Sequence, residues 1–233
     1  MDYLIDGFFD AFTLLFQGHA ETYDAIFTTI KVSSFSILIS TIIGLPLGFI
    51  LSYYNFPGKK YMRAVVDTLL SLPTVVVGLL VYAFITNKGP LGNFNLLFHS
   101  SGIIIGQIIL ILPYVISLSA TGVDSLDERL KSTLITLGAN PRRILLSTLY
   151  EARFAAMTAT AAAYGRAISE VGVSMMIGGN IKWHTRTITT AMTLETGKGE
   201  FAMGIALGIV LLMISFIVNW ALSFFRKRGF YAK

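Results

Sequence analysis

An all-α membrane protein is the fold class this sequence predicts, and three observations predict it. Of its 233 residues 54% are hydrophobic and only 13% charged, where a soluble domain carries about 25% charged residues. Uncharged apolar runs recur along the chain, each near the ~20 residues a helix needs to cross a bilayer. The Lys and Arg residues gather on alternate connections between those runs, the distribution that fixes orientation in a membrane.

The first segment, Tyr3 to Phe16, is apolar but interrupted by Asp6 and Asp10, and too short to span. It is expected to form an N-terminal amphipathic segment, residues 1–23, lying in the interface. Its acidic start argues against a cleaved signal peptide. Val32 to Tyr54, Thr68 to Thr86, Gly102 to Val123 and Phe201 to Phe225 supply four spans directly. A fifth, between Phe154 and Gly179, is rich in Ala and Gly and carries Arg166 and Glu170, whose charges must face protein or water. Residues 1–233 thus form a single transmembrane domain of five helices.

Lys59, Lys60 and Arg63 lie between the first two spans, and Arg129, Lys131, Arg142, Arg143 and Arg153 between the third and fourth. With Arg226, Lys227, Arg228 and Lys233 they place 12 of the 18 basic residues on one side. The expected topology has the N-terminus outside and the C-terminus cytoplasmic, which five spans satisfy. The net charge of +5 is therefore a topology signal, and no nucleic-acid partner is expected.

On the cytoplasmic side, residues 124–151 break the apolar pattern. Ser125 and Glu128 have the spacing of a capping box, Gly138 suits a helix C-terminus, and Asn140-Pro141 reads as an N-cap with Pro at the first helical position. Two short helices joined by a tight turn are expected. Leu126, Leu130, Leu134 and Leu137 give the first an apolar face. From the residues alone, that face suits either an interfacial hairpin or a protein docking surface.

Within the membrane, Arg166 and Glu170 are four apart and can pair, either as a static bridge or as a latch on a pathway wall. Asp67 and Arg63 have the same spacing near the end of the second span. Gly44/Gly48, Gly102/Gly106 and Gly204/Gly208 form G-x-x-x-G pairs that allow close helix packing, and Pro46, Pro73 and Pro113 should kink the first three spans. On the outer side, residues 179–200 form an extracytoplasmic loop whose Lys182 and Arg186 could guide an anion.

Leu137-Gly138-Ala139-Asn140-Pro141-Arg142 resembles the core of the EAA loop of ABC importer permeases, although Ser132, Thr133 and Leu134 stand at the E-A-A positions. Gly165-Arg-Ala-Ile-Ser-Glu-Val-Gly172 is similar to the signature of sulfate, molybdate and tungstate permeases. Gly178-Gly-Asn-Ile181, Thr185-Arg-Thr-Ile-Thr-Thr-Ala191 and Leu194-Glu-Thr-Gly-Lys-Gly-Glu200 look most like the tungstate members. The resemblance implies an ABC type I importer-like fold and a permease subunit in the plasma membrane of a prokaryote. It also implies three partners: an ABC ATPase dimer, an extracytoplasmic oxyanion-binding protein, and a second copy of the chain.

No G-x-x-x-x-G-K-[ST] loop occurs, so the chain itself is not expected to be an enzyme or to hold a cofactor. ATP and Mg would be bound by the ATPase, with Leu130, Leu134, Leu137, Gly138, Ala139, Asn140, Pro141 and Arg142 as the coupling surface. Tungstate is the expected substrate, with molybdate or sulfate as alternatives. An ion-coupled secondary transporter is the competing class, which internal repeats and unpaired midplane carboxylates would favour.

Overall fold

The computed structural model describes residues 9, 13 and 19–231, and among them all regular structure is helical. The predicted segment 1–23 falls largely outside the described residues. From Ala20 onward the described helices are α1 (Ala20–Tyr53), α2 (Lys59–Leu69), α3 (Thr74–Ile85), α4 (Ser100–Asp124), α5 (Glu128–Thr136), α6 (Pro141–Ile168), α7 (Gly172–Gly178), α8 (Ile188–Gly197) and α9 (Phe201–Tyr231). A 3₁₀ turn at Gly92–Phe94 sits between α3 and α4.

By length and apolarity, α1, α4 and α9 as far as Trp220 can each cross a membrane, and α2 with α3 makes a fourth if the bent pair is one span. That pair replaces the expected continuous second span. Its two helices meet at 97° because Pro73 forces Leu72 out of the helical region and has no N–H to continue the ladder. Pro46 and Pro113, by contrast, lie inside continuous helices. The expected Phe154–Gly179 span is also redrawn. One 28-residue helix, α6, starts at Pro141 and stops at Ile168, and the chain restarts as α7.

The bundle is organised around α1, which packs parallel to α4 and also touches α6 and α8. Buried serines and glycines let these helices come close. Ser36 donates to Val32 O at 2.8 Å and to Ile104 O of α4 at 3.3 Å. Apolar clusters fill the spaces between: Val32, Val81, Ile103 and Val173 join α1, α3, α4 and α7, while Ile37, Ile111, Ala163 and Ala167 join α1, α4 and α6. All three glycine pairs pack within the chain. Gly44 and Gly48 face α4, Gly102 and Gly106 face Ile177 of α7, and Gly204 and Gly208 face Thr196 and Met192 of α8.

A side chain on Gly48 would collide with Ser119 Oγ and the backbone carbonyl of Ile116. Gly48→Val should therefore separate α1 from α4 at a cost of about 3 kcal/mol, the upper end of overpacking. Thermal unfolding of the purified protein in detergent checks this. Gly197→Ala, where nothing lies within 4 Å of the new methyl, should leave the midpoint unchanged.

Candidate functional site

At the basic end of the bundle, where Tyr53, Arg63 and Asp124 meet, α5 and the start of α6 form the predicted hairpin. Its first cap differs from the expected one. Ser125 instead closes α4, its hydroxyl donating to Gly122 O at 2.8 Å, and Asp127 caps α5 by accepting from Arg129 N at 2.8 Å. The turn at the far end of α5 is a Schellman motif. Gly138 has φ +74°, its N–H donates to Ile135 O at 3.0 Å, and Ala139 N donates to Leu134 O at 2.9 Å. Asn140 then caps α6, accepting from Arg143 N at 2.9 Å, with Pro141 at the first helical position.

The second helix of this hairpin is not short. It is the whole of α6, about 42 Å at 1.5 Å per residue, so the tip is carried on a rod that continues into the bundle. The apolar face is also distributed differently from the expected one. Leu130 and Leu134 are half-buried, and Leu130 lines a cleft with Tyr53, Leu126 and Thr148. What projects at the tip is Leu137, 76% exposed, with Ile135 also exposed and Gly138, Asn140, Pro141 and Arg142 at the apex, while Leu146 and Tyr150 are exposed farther along α6.

The second centre lies at mid-bundle, where α6 ends and α7 begins. Arg166 Nη1 donates to Glu170 Oε2 at 2.7 Å, and Glu170 Oε1 accepts the N–H of Val173 at 3.0 Å. Glu170 is thus paired and also caps α7, while its backbone carbonyl accepts from Thr189 Oγ1 of α8 at 2.9 Å. The α2–α3 break lies alongside. Tyr114 of α4 donates to Leu70 O at 3.1 Å and its ring lies 5.9 Å from the Arg166 guanidinium. A side chain on Gly172 would meet Thr74 and Val75 at the start of α3. Two interrupted helices therefore meet beside one buried ion pair, in the manner of membrane transport proteins.

Sequence spacing misassigned the other charges. Arg63 does not pair with Asp67 but with Asp124, which also accepts from Ser52, and Asp67 accepts from Ser117 at 2.7 Å. At the opposite end, Lys182 and Arg186 share a single carboxylate, which leaves one positive charge in excess and Lys182 half exposed. Both bind Glu21, Lys182 at 2.5 Å, and Arg186 also donates to Asn180. The predicted outer loop 179–200 contains α8, capped by Thr187 and Thr190 in a reciprocal box. Among the described residues no three or more His, Asp or Glu come together as a metal site. Tyr114, Glu21 and Asp124 are the contributors that sequence reasoning missed. Only Tyr114, a polar ring beside Pro113 in the middle of a span, left a signal.

A helical membrane bundle with broken helices, a mid-depth ion pair and a rigid basic hairpin defines a transport permease. The chain belongs to the family of binding-protein-dependent transport system inner membrane components, which it matches over residues 44–229. It is 48% identical over 220 residues to the tungstate uptake system permease protein TupB of Campylobacter jejuni, spanning 94% of this chain and 92% of that one. It is 36% identical over 219 residues to the TupB of Peptoclostridium acidaminophilum, spanning 94% and 96%. The fold is that of ABC importer permeases. The crystal structure of a bacterial alginate ABC transporter, in complex with alginate pentasaccharide-bound periplasmic protein, superposes with a TM-score of 0.73. It covers 94% of this chain and 83% of that chain at 19% identity.

Proposed function

We propose that this chain is the permease subunit of an ATP-driven tungstate importer. The observation that carries the proposal is full-length similarity to two tungstate uptake permeases, joined to a hairpin whose Gly138 turn and apolar tip stand clear of the bundle. In this reading the basic end is cytoplasmic and the N-terminus lies outside. Leu137, Gly138, Ala139, Asn140, Pro141 and Arg142 enter a groove on a separate ATPase subunit, which binds ATP and Mg, while Leu130 and Leu134 hold α5 to its own chain. The rod of α6 then carries ATPase closure toward the α6–α7 break. An extracytoplasmic protein delivers the oxyanion. Two copies of the chain, embedded in lipid, enclose the path between them.

Tungsten uptake, measured by elemental mass spectrometry in cells that hold the permease, its ATPase and its binding protein, tests the assignment. Uptake that depends on all three and resists excess sulfate is expected. Equal competition by molybdate would widen the substrate to both anions, and uptake that persists without the ATPase would instead identify an ion-coupled carrier. Cross-linking across the membrane region should trap a species of twice the monomer mass.

A further inference from the structure

We infer that Arg166 is the point inside the membrane at which the transported oxyanion is met by positive charge. The inference deepens the oxyanion reading above and rests on it. The pair it forms with Glu170 is asymmetric in exposure: the Glu170 side chain is 1% exposed and that of Arg166 is 27% exposed. The carboxylate is consumed on its inner side, one oxygen by Arg166 and the other by Val173 N–H, so no anionic face is turned outward. The guanidinium has five N–H donors in a planar fork, of which the bond to Glu170 uses one nitrogen, and Tyr114 of α4 approaches it as a second neighbour. The result is a fixed dipole with its positive end on the open side.

That open side is polar at the mid-bundle level. Ser169 is exposed next to Arg166, and Ser71 is exposed at the α2–α3 break, which Tyr114 ties to the same level. Both breaks, Leu70 to Pro73 and Ser169 to Val171, leave irregular backbone at mid-bundle. Irregular backbone at membrane depth is tolerated where it is buried in protein or lines water. On α6 the next cation is Arg153, thirteen positions and about 20 Å away. At the far end, Lys182 and Arg186 share the one carboxylate of Glu21. In the two-copy assembly, Arg166 of each subunit faces the shared path, and a dianion pauses there without being trapped, because Glu170 continues to share the guanidinium.

The test uses the complete complex of permease, ATPase and tungstate-loaded binding protein, reconstituted in liposomes, with tungsten accumulation as the readout. Ser169→Glu places a second carboxylate one turn from Arg166, where it competes with Glu170 for the guanidinium, and Ser169→Gln places a neutral group of the same size; both give up the Ser169 hydroxyl bonds to Gly165 O and Arg166 O, so the comparison between them isolates the charge. The Glu variant should lose about tenfold or more in uptake, the scale by which one sign of charge in a cleft changes ion access. The Gln variant should stay close to wild type, with ATP hydrolysis unchanged in both. The double variant Arg166→Gln, Glu170→Gln keeps two hydrogen-bonding amides while removing both charges, and should show the same loss in assembled complex. Equal uptake by the Glu and Gln forms, or wild-type uptake by the double variant, overturns the role of Arg166 and leaves the importer assignment standing. A wild-type complex that moves no tungsten overturns both.

Discussion

Gly138→Val is expected to abolish tungstate uptake while the permease still accumulates in the membrane. The residue sits at φ +74°, where an L side chain costs about 1–2 kcal/mol and a β-branched one more. Nothing lies within 4 Å of the added Cβ, so the substitution meets no steric obstacle in the bundle. Its whole effect falls on the turn. To escape the strained region the chain must give up Gly138 N to Ile135 O and Ala139 N to Leu134 O, the two bonds that fix the direction of α5 relative to α6. About 2 kcal/mol against the native turn lowers its population roughly thirtyfold relative to alternatives. Leu137 and Ile135 then no longer project together.

Gly138→Asn gives the discriminating control, because Asn adopts the left-handed region more readily than other side chains. It should retain most uptake. Quantitative immunoblotting of membranes and elemental mass spectrometry of cells read both variants. A valine form that transports normally would show that the geometry of this turn is immaterial to coupling.

The parts of the hairpin that sequence made legible are those set by local chemistry. Gly138 needs a left-handed backbone, and Asn140-Pro141 is a cap whose geometry requires only its own three neighbours. The Arg166–Glu170 bridge was likewise readable, because four residues on a helix bring side chains together. The same rule failed for Arg63 and Asp67, since both had long-range partners on α4 that no spacing reveals. Sequence also overstated continuity. Apolar residues flank both Ser71-Leu72-Pro73 and Ser169-Glu170-Val171, so each run reads as one span, and the polarity of Glu170 signals a partner rather than a break. Pro73 marked the first as a kink, although not one of 97°. At the second, the Glu170 carboxylate folds back onto Val173 N–H while its other oxygen pairs with Arg166, so one residue both caps α7 and holds the end of α6. The bond between Glu21 and the far-end cations joins positions more than 160 apart in the chain, beyond any local pattern.

Glu170→Leu should destabilise the bundle by about 3 kcal/mol, the low end for breaking a buried pair, because Arg166 loses its carboxylate but keeps partial exposure and the Tyr114 ring. It also strips the cap from α7, whose Val173 N–H has no other acceptor among its described contacts, adding about 1 kcal/mol. Arg166→Met combined with Glu170→Leu removes both charges and should recover most of the loss, since an apolar pair of similar volume needs no desolvation of ions. Only the cap deficit should remain. Size-exclusion profiles and thermal midpoints of the detergent-purified proteins separate the three states, with the single variant aggregated or strongly lowered and the double variant near wild type. Should Glu170→Leu alone match the wild-type midpoint, the pair contributes no structural stability and Arg166 is solvated from the open side well enough to stand by itself. Should the double variant be stable yet inactive in tungsten uptake, stability and transport separate at this bridge: the carboxylate serves the fold and the guanidinium serves the anion.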